Sequence, residues 1–269
     1  MKKLAVIFPG VGYHADKPLL YYASKIAHSF EYEIKILTYS DLPQRIKGDV
    51  KKMREAFDIA MVQVEEQLKE VMFSEYEKVL FISKSVGTVV ASAYAKRYEL
   101  NPDQLFFTPV EATFQFGKQR GIVFHGDADS WVKTAVVEDA CREQEMKLYI
   151  TKGANHSLET GDVVKDIQNL KRTMERVQLY IEEVAKRPER QLSGAEQFLI
   201  CYTTRAQREQ IVKESLGYSD VGCEDCGDGY EMYLPYIEGK KELREITMEY
   251  QAHYVRAMDM EERGRCPMM

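Results

Sequence analysis

Long hydrophobic runs are missing from this 269-residue sequence. Nothing in it approaches the ~18 consecutive apolar residues of a membrane-spanning helix. The start, MKKLAVIFPG, has the charged and apolar parts of a secretory leader, but its apolar run is LAVIF alone before Pro9 and Gly10. A leader uses roughly 7–15 apolar residues there. Cysteine is scarce and odd in number, five in all, with two of them in one C-x-x-C. That usage does not resemble a secreted disulfide framework, so a cytoplasmic protein is expected. An excess of positive charge is also lacking: 37 Lys+Arg stand against 43 Asp+Glu, a net charge of −6. Nucleic-acid binding wants a clustered basic face, so no nucleic-acid partner is expected, and no membrane partner either. Internal repeats and low-complexity tracts are absent as well.

The composition that remains, 45% hydrophobic and 30% charged, is that of an ordinary globular protein long enough to bury a good core. Strand and helix signals alternate over the first two-thirds. Strand-like segments occur at 4–8, a continuous apolar run, and at 33–39, 78–83, 104–108, 121–125 and 147–150. Between them lie helix-like segments at 17–30, 51–73, 86–98 and 133–144, and a closing one at 162–187. Strands that are apolar throughout and separated by helices predict an α/β fold, a mostly parallel sheet flanked by helices on both faces. Such a sheet puts its ligand site beyond the carboxyl ends of its strands.

The residues just past those ends carry the chemistry. Pro9-Gly10-Val11-Gly12-Tyr13 follows the first strand, Lys84-Ser85-Val86-Gly87 the third, His125-Gly126-Asp127-Ala128-Asp129 completes and follows the fifth, and Gly153-Ala154-Asn155-His156 follows the last. A serine, an aspartate and a histidine thus appear in the chain order of a hydrolase triad, each after a strand of one sheet. Serine is a poor nucleophile until a base takes its proton. Of the five histidines, only His156 and His253 come after the acid, and His156 follows a strand directly. Serine also favours helix N-caps, which is the bland reading of Ser85.

In these stretches the sequence resembles the α/β-hydrolase superfamily, and within it the compact, lidless dienelactone-hydrolase-like members, over residues 1–187. Ser83-Lys84-Ser85-Val86-Gly87 resembles the G-x-S-x-G elbow with serine in place of the first glycine. His125-Gly126-Asp127-Ala128-Asp129-Ser130-Trp131-Val132 matches the acid-loop pattern H-G-x-x-D-x-x-V, and Gly153-Ala154-Asn155-His156 the terminal G-x-x-H. The resemblance implies catalysis by Ser85, Asp129 and His156, with the N–H groups of Val11 and Val86 holding the oxyanion. Asp127 shares the acid loop and is the alternative carboxylate, its bland role being an Asx turn. Gly10, Tyr13 and Lys84 are candidate substrate-binding residues. A solvated lysine at a helix start is the plainer reading of Lys84, against an electrostatic preference for anionic substrates. The implied activity is hydrolysis of a carboxylic ester or thioester of a small soluble substrate through an acyl-enzyme, with no cofactor. The alternatives are an amidase or peptidase on the same triad and a non-catalytic hydrolase-like binding protein. The stretch 109–120 is too short for a helical lid.

From Arg187 the texture changes. Residues 188–197 read as a linker, with Pro188 and Gly194, and 198–269 as a small, mainly helical or irregular C-terminal extension. From Gln191 onward there are 9 basic and 15 acidic residues, so all the excess negative charge lies there. Cys223 and Cys226 are weak metal candidates, since structural zinc wants four ligands and a second C-x-x-C is missing. Glu224, Asp225 and Asp228 oppose a reactive thiolate. The tyrosines of the extension suit a small core or a contact with a protein partner.

Overall fold

The computed structural model describes residues 2–187, 194, 196–203, 205–216 and 227–251. The chain divides into two compact units, Met1–Glu189 and Arg190–Met269.

The first unit is built on six parallel strands: β1 (Lys3–Phe8), β2 (Tyr32–Ile36), β3 (Lys78–Lys84), β4 (Asp103–Phe107), β5 (Arg120–Gly126) and β6 (Lys147–Thr151). They lie in the order β2-β1-β3-β4-β5-β6. The inner strands read as unbroken apolar runs because both their faces are covered. On one face Ala5, Ile7, Leu80, Ile82, Leu105, Phe107, Ile122 and Phe124 pack against helices α1 (Pro18–Ser29) and α5 (Val163–Lys186). On the other, Phe106 and Val123 pack with Val137 and Cys141 of α4 (Thr134–Glu143), and α2 (Val50–Leu68) and α3 (Val86–Arg97) complete the helical complement of the unit. The edge strands leave Ile36 and Ile150 exposed.

Local chemistry sets the helix starts. Pro18 opens α1 with its φ already preset. Asp49 accepts a hydrogen bond from the Lys52 N–H at 3.0 Å, and Asp162 accepts from Val164 and Lys165, each at 3.1 Å. The apolar periodicity of 51–73 predicts a longer α2 than is found. The helix stops at Leu68 because Phe73 serves elsewhere: it is buried, with ring centroids 6.3 Å from Phe81 and 6.2 Å from Tyr94. Reaching them takes the short 3-10 turn Phe73–Glu75 rather than another helical turn.

Helix α3 is unlike the others, for every residue from Val86 to Ala95 is buried. A helix apolar or small all round belongs inside a fold. Its second residue, Gly87, lies so close to β1 that a Cβ there would fall onto the carbonyl oxygens of Phe8 and Pro9. Between β4 and β5 the chain forms one 3-10 turn, Glu111–Phe116, with no inserted helical lid.

The second unit has its own small core of Val212, Tyr236, Ile237 and Ile246. It contains helices α6 (Arg205–Ser215), α7 (Gly227–Glu231) and α8 (Leu234–Ile237), and a further helix over 243–251. Buried Arg208 donates to the carbonyls of Thr203 and of Ile237, the latter at 3.1 Å. Tyr236 is fully buried and donates to the Phe198 carbonyl. Most of the expected linker 188–197, together with Cys223, Cys226 and Cys266, lies outside the described residues. Among the described residues no helix is long and apolar enough to cross a membrane, and no cluster of His, Cys, Asp and Glu could hold a metal ion.

Candidate active site

The elbow between β3 and α3 holds Ser85 at φ 54°, ψ −124°. A non-glycine residue there is strained by about 1–3 kcal/mol, and such strain persists only where the surroundings over-determine it. They do so here. The Ser85 N–H donates to the Phe107 carbonyl at 3.1 Å. The Ser85 carbonyl accepts from the Thr88 N–H at 2.9 Å and from Thr88 Oγ1 at 2.6 Å. The Ser85 side chain makes no N-cap hydrogen bond to α3, so capping does not explain it. Its Oγ lies 2.7 Å from His156 Nε2 instead.

His156 follows β6 on a loop fastened at several points. Its Nδ1 is 2.7 Å from Asp129 Oδ2. An ionised carboxylate can only accept, so Nδ1 carries the ring hydrogen and Nε2 is left to accept from the Ser85 hydroxyl. Asp129 is buried, and its other oxygen accepts from the Trp131 N–H at 2.8 Å. Burial would push this carboxyl up, but the hydrogen bonds from His156 and from Trp131 hold it below its ordinary value. Burial lowers the His156 imidazole, the Asp129 hydrogen bond opposes that, and the Lys84 ammonium adds to it. The His156 imidazole is therefore neutral at neutral pH.

Asp127 does not reach His156. Its Oδ1 accepts from the Gly153 N–H at 2.5 Å and so ties the acid loop to the histidine loop. Gly126 lets those loops close, since a Cβ there would overlap the Ala154 carbonyl.

The first turn after β1 faces the elbow. A Cβ on Gly10 would lie 3.2 Å from Ser85 Cβ and 3.1 Å from the Lys84 carbonyl oxygen. Gly10 and Tyr13 bond each other through both backbone groups, at 3.1 and 3.2 Å. That closed turn leaves the Val11 N–H without an acceptor among the described residues, and the Val86 N–H is likewise unclaimed.

Lys84 departs from the solvated residue the sequence suggests. Strand β3 runs through it, and it is 1% exposed. Its Nζ lies 5.0 Å from the centroid of the buried Tyr13 ring. Burial lowers its pKa to about 7, with Asp129 opposing and Lys17 assisting. Tyr13 is itself pushed up to about 12 by burial, and its hydroxyl accepts from the Leu19 N–H at 3.2 Å.

Three further residues beside the relay are not among the candidates named from the sequence. Trp131 stacks on the His156 ring at 4.7 Å between centroids and 13° between planes. Thr108, just past β4, donates from Oγ1 to the His156 carbonyl at 2.9 Å. His125 is fully buried, with Nδ1 3.8 Å from Asp129 Oδ2 and Nε2 3.2 Å from Thr134 Oγ1. A signal existed for His125 in the H-G-x-x-D pattern. Trp131 and Thr108 left none beyond lying next to strand ends.

No family model matches the chain, and no curated protein matches it in sequence. Solved structures do. Est1E from Butyrivibrio proteoclasticus, in its structure with ferulic acid bound, is 11% identical; the match covers 69% of this chain and 90% of Est1E, with a TM-score of 0.52. A second structure of Est1E gives 11%, 69%, 89% and 0.51. An α/β serine hydrolase without lid from Xanthomonas campestris gives 14%, 69%, 84% and 0.47. At these identities the likeness is one of fold.

Proposed function

Because the chain carries the α/β-hydrolase fold, we propose that it is a serine hydrolase, cleaving a carboxylic ester or thioester through an acyl-enzyme. One observation carries the reading: an unbroken relay from Ser85 Oγ through His156 to Asp129, with both hydrogen bonds at 2.7 Å. The Ser85 oxygen attacks the carbonyl carbon while His156 Nε2 takes its proton. The resulting imidazolium is stabilised by Asp129, which stays ionised. The oxyanion is held by the two free N–H groups of Val11 and Val86, each such donor contributing about 10²–10³ in rate. The imidazolium then protonates the departing alcohol or thiol, leaving an acyl group on Ser85. Water repeats the sequence with His156 again as base, and the products are an acid and an alcohol or thiol.

The strained elbow and the stacked Trp131 serve the same end by fixing the two reacting atoms before substrate arrives. No cofactor takes part in this scheme. The cysteine usage of the chain fits work in the cytoplasm.

A fluorophosphonate probe tests the reading, with peptide mass spectrometry locating the adduct. The expected result is an adduct on Ser85 in the wild type, absent in Ser85→Ala and at least about a hundredfold slower in His156→Ala, the size of a lost general base. Folded wild-type protein that takes no label would refute it.

A further inference from the structure

Lys84 is a charged group within the site that the hydrolytic scheme leaves unused. Its position is costly. A buried ammonium is stable only when paired and hydrogen-bonded, yet among the described residues no oxygen accepts a hydrogen bond from its Nζ and no carboxylate pairs with it. What it has is the face of Tyr13, at 5.0 Å. Its stem runs beside the first turn, Cγ standing 3.5 Å from where a Gly10 Cβ would be, next to Ser85 Cβ. The ammonium therefore lies on the Gly10–Tyr13 side of the nucleophile.

The groups around it do not neutralise it. Asp129 attracts it, but both oxygens of that carboxylate are already engaged by His156 and the Trp131 N–H. His156 and His125 are held neutral by burial. Exposed Lys17, from the start of α1, adds a second ammonium 5.4 Å over the same Tyr13 ring and repels Lys84. Glu159, on the histidine loop, is exposed and acts on Tyr13. The Asp129 attraction outweighs the Lys17 repulsion, yet it acts at a distance and gives the Lys84 ammonium no hydrogen-bond acceptor.

Resting on the hydrolase reading and sharpening it, we infer that Lys84 is an anion subsite and that the substrate carries a carboxylate on its acyl part, laid along the Gly10–Tyr13 turn. A bound carboxylate supplies the hydrogen-bond acceptor the ammonium lacks. With a pKa of about 7, Lys84 stands near its titration midpoint at neutral pH, where an incoming anion holds it in the charged form.

The test compares two esters with the same leaving group, p-nitrophenyl butyrate and mono-p-nitrophenyl succinate. They differ chiefly in the carboxylate at the chain end. At pH 6.5 wild-type kcat/KM should favour the succinate ester by about tenfold or more, the scale of one charge-assisted hydrogen bond. Lys84→Met should cut that ratio by about tenfold. The wild type also tests the idea without any variant. Lysine is a cation below its pKa, so the preference should be present at pH 6 and fall toward pH 9, while the substrate carboxylate stays ionised throughout. If Lys84 served the oxyanion instead, both esters would change alike and the ratio would stay constant. A wild-type ratio near one at pH 6.5, or one indifferent to both pH and Lys84→Met, overturns the subsite. Fluorophosphonate labelling separates the two failures. Labelled protein without the preference sinks the subsite alone, and protein that neither labels nor turns over either ester sinks the hydrolase reading with it.

Discussion

Replacing Asp129 by Asn isolates the electrostatics of the relay while leaving its shape intact. Both partners of the carboxylate are donors, the Trp131 N–H at 2.8 Å and the His156 Nδ1–H at 2.7 Å. An amide has one accepting oxygen, so one partner must face an NH₂ group. The Trp131 backbone cannot change its hydrogen, but the imidazole can. The amide oxygen therefore goes to Trp131, and the NH₂ drives the hydrogen of His156 from Nδ1 to Nε2. Nε2 then presents N–H to Ser85 and cannot act as base. The expected loss in kcat is about 10³–10⁴, the size of a wrong-tautomer defect, or about 4–6 kcal/mol of transition-state stabilisation. The assay is steady-state hydrolysis of p-nitrophenyl butyrate, with the melting temperature followed beside it to show that the fold persists. Asp127→Asn is the control: its amide oxygen can still accept from Gly153, so activity should change by no more than about twofold. A folded Asp129→Asn protein within tenfold of wild type would refute the relay. So would a larger loss in Asp127→Asn.

Two further predictions concern pH and packing. Burial and Lys84 together lower the His156 pKa against the pull of Asp129, and the base works only when neutral. The kcat/KM for the neutral butyrate ester should therefore fall on the acid side, with its midpoint below the ordinary imidazole value of about 6.5; a midpoint above it contradicts the assignment. Gly87→Ala should cost about 3 kcal/mol, because its methyl meets fixed carbonyls of Phe8 and Pro9 rather than a movable side chain. That corresponds to a fall in melting temperature of roughly 6–12 °C. Gly12→Ala meets nothing within 4 Å and carries only the strain of its φ of 71°, so urea titration should find it much the milder of the two.

Much of the fold was legible because a parallel sheet writes itself into sequence as separate apolar runs, and because the strand-end rule then directs attention to a few short segments. Ser85, Asp129 and His156 stand out for that reason. The misreading of Lys84 has a physical origin: a charged residue at the end of an apolar run marks a strand end by pattern, yet here Tyr13, from a distant turn, folds over it. Phe73 ended α2 early for a comparable reason, since its partners Phe81 and Tyr94 lie on other elements. Trp131 and Thr108 act through a ring stack and a carbonyl contact made across loops, and neither leaves a periodicity to detect. Asp127 and Asp129 are two residues apart in one loop, and chain order alone could not divide their roles. The bonds to Gly153 and to His156 do.

The burial of α3 on all sides has a consequence for how this protein tolerates change. An amphipathic helix such as α5 can drift in sequence along its outer face, where Val164, Ile167 and Leu179 already stand exposed. The helix behind Ser85 has no such face from Val86 to Ala95, so any enlargement there must be taken up by the sheet or by Ser85 itself. In a saturation library the ten positions after Ser85 should form the longest uninterrupted block of intolerance in the first unit. Substitutions there would displace Ser85 before they spoil expression, which makes this segment a poor place for engineering and the outer faces of α2 and α5 the place to begin.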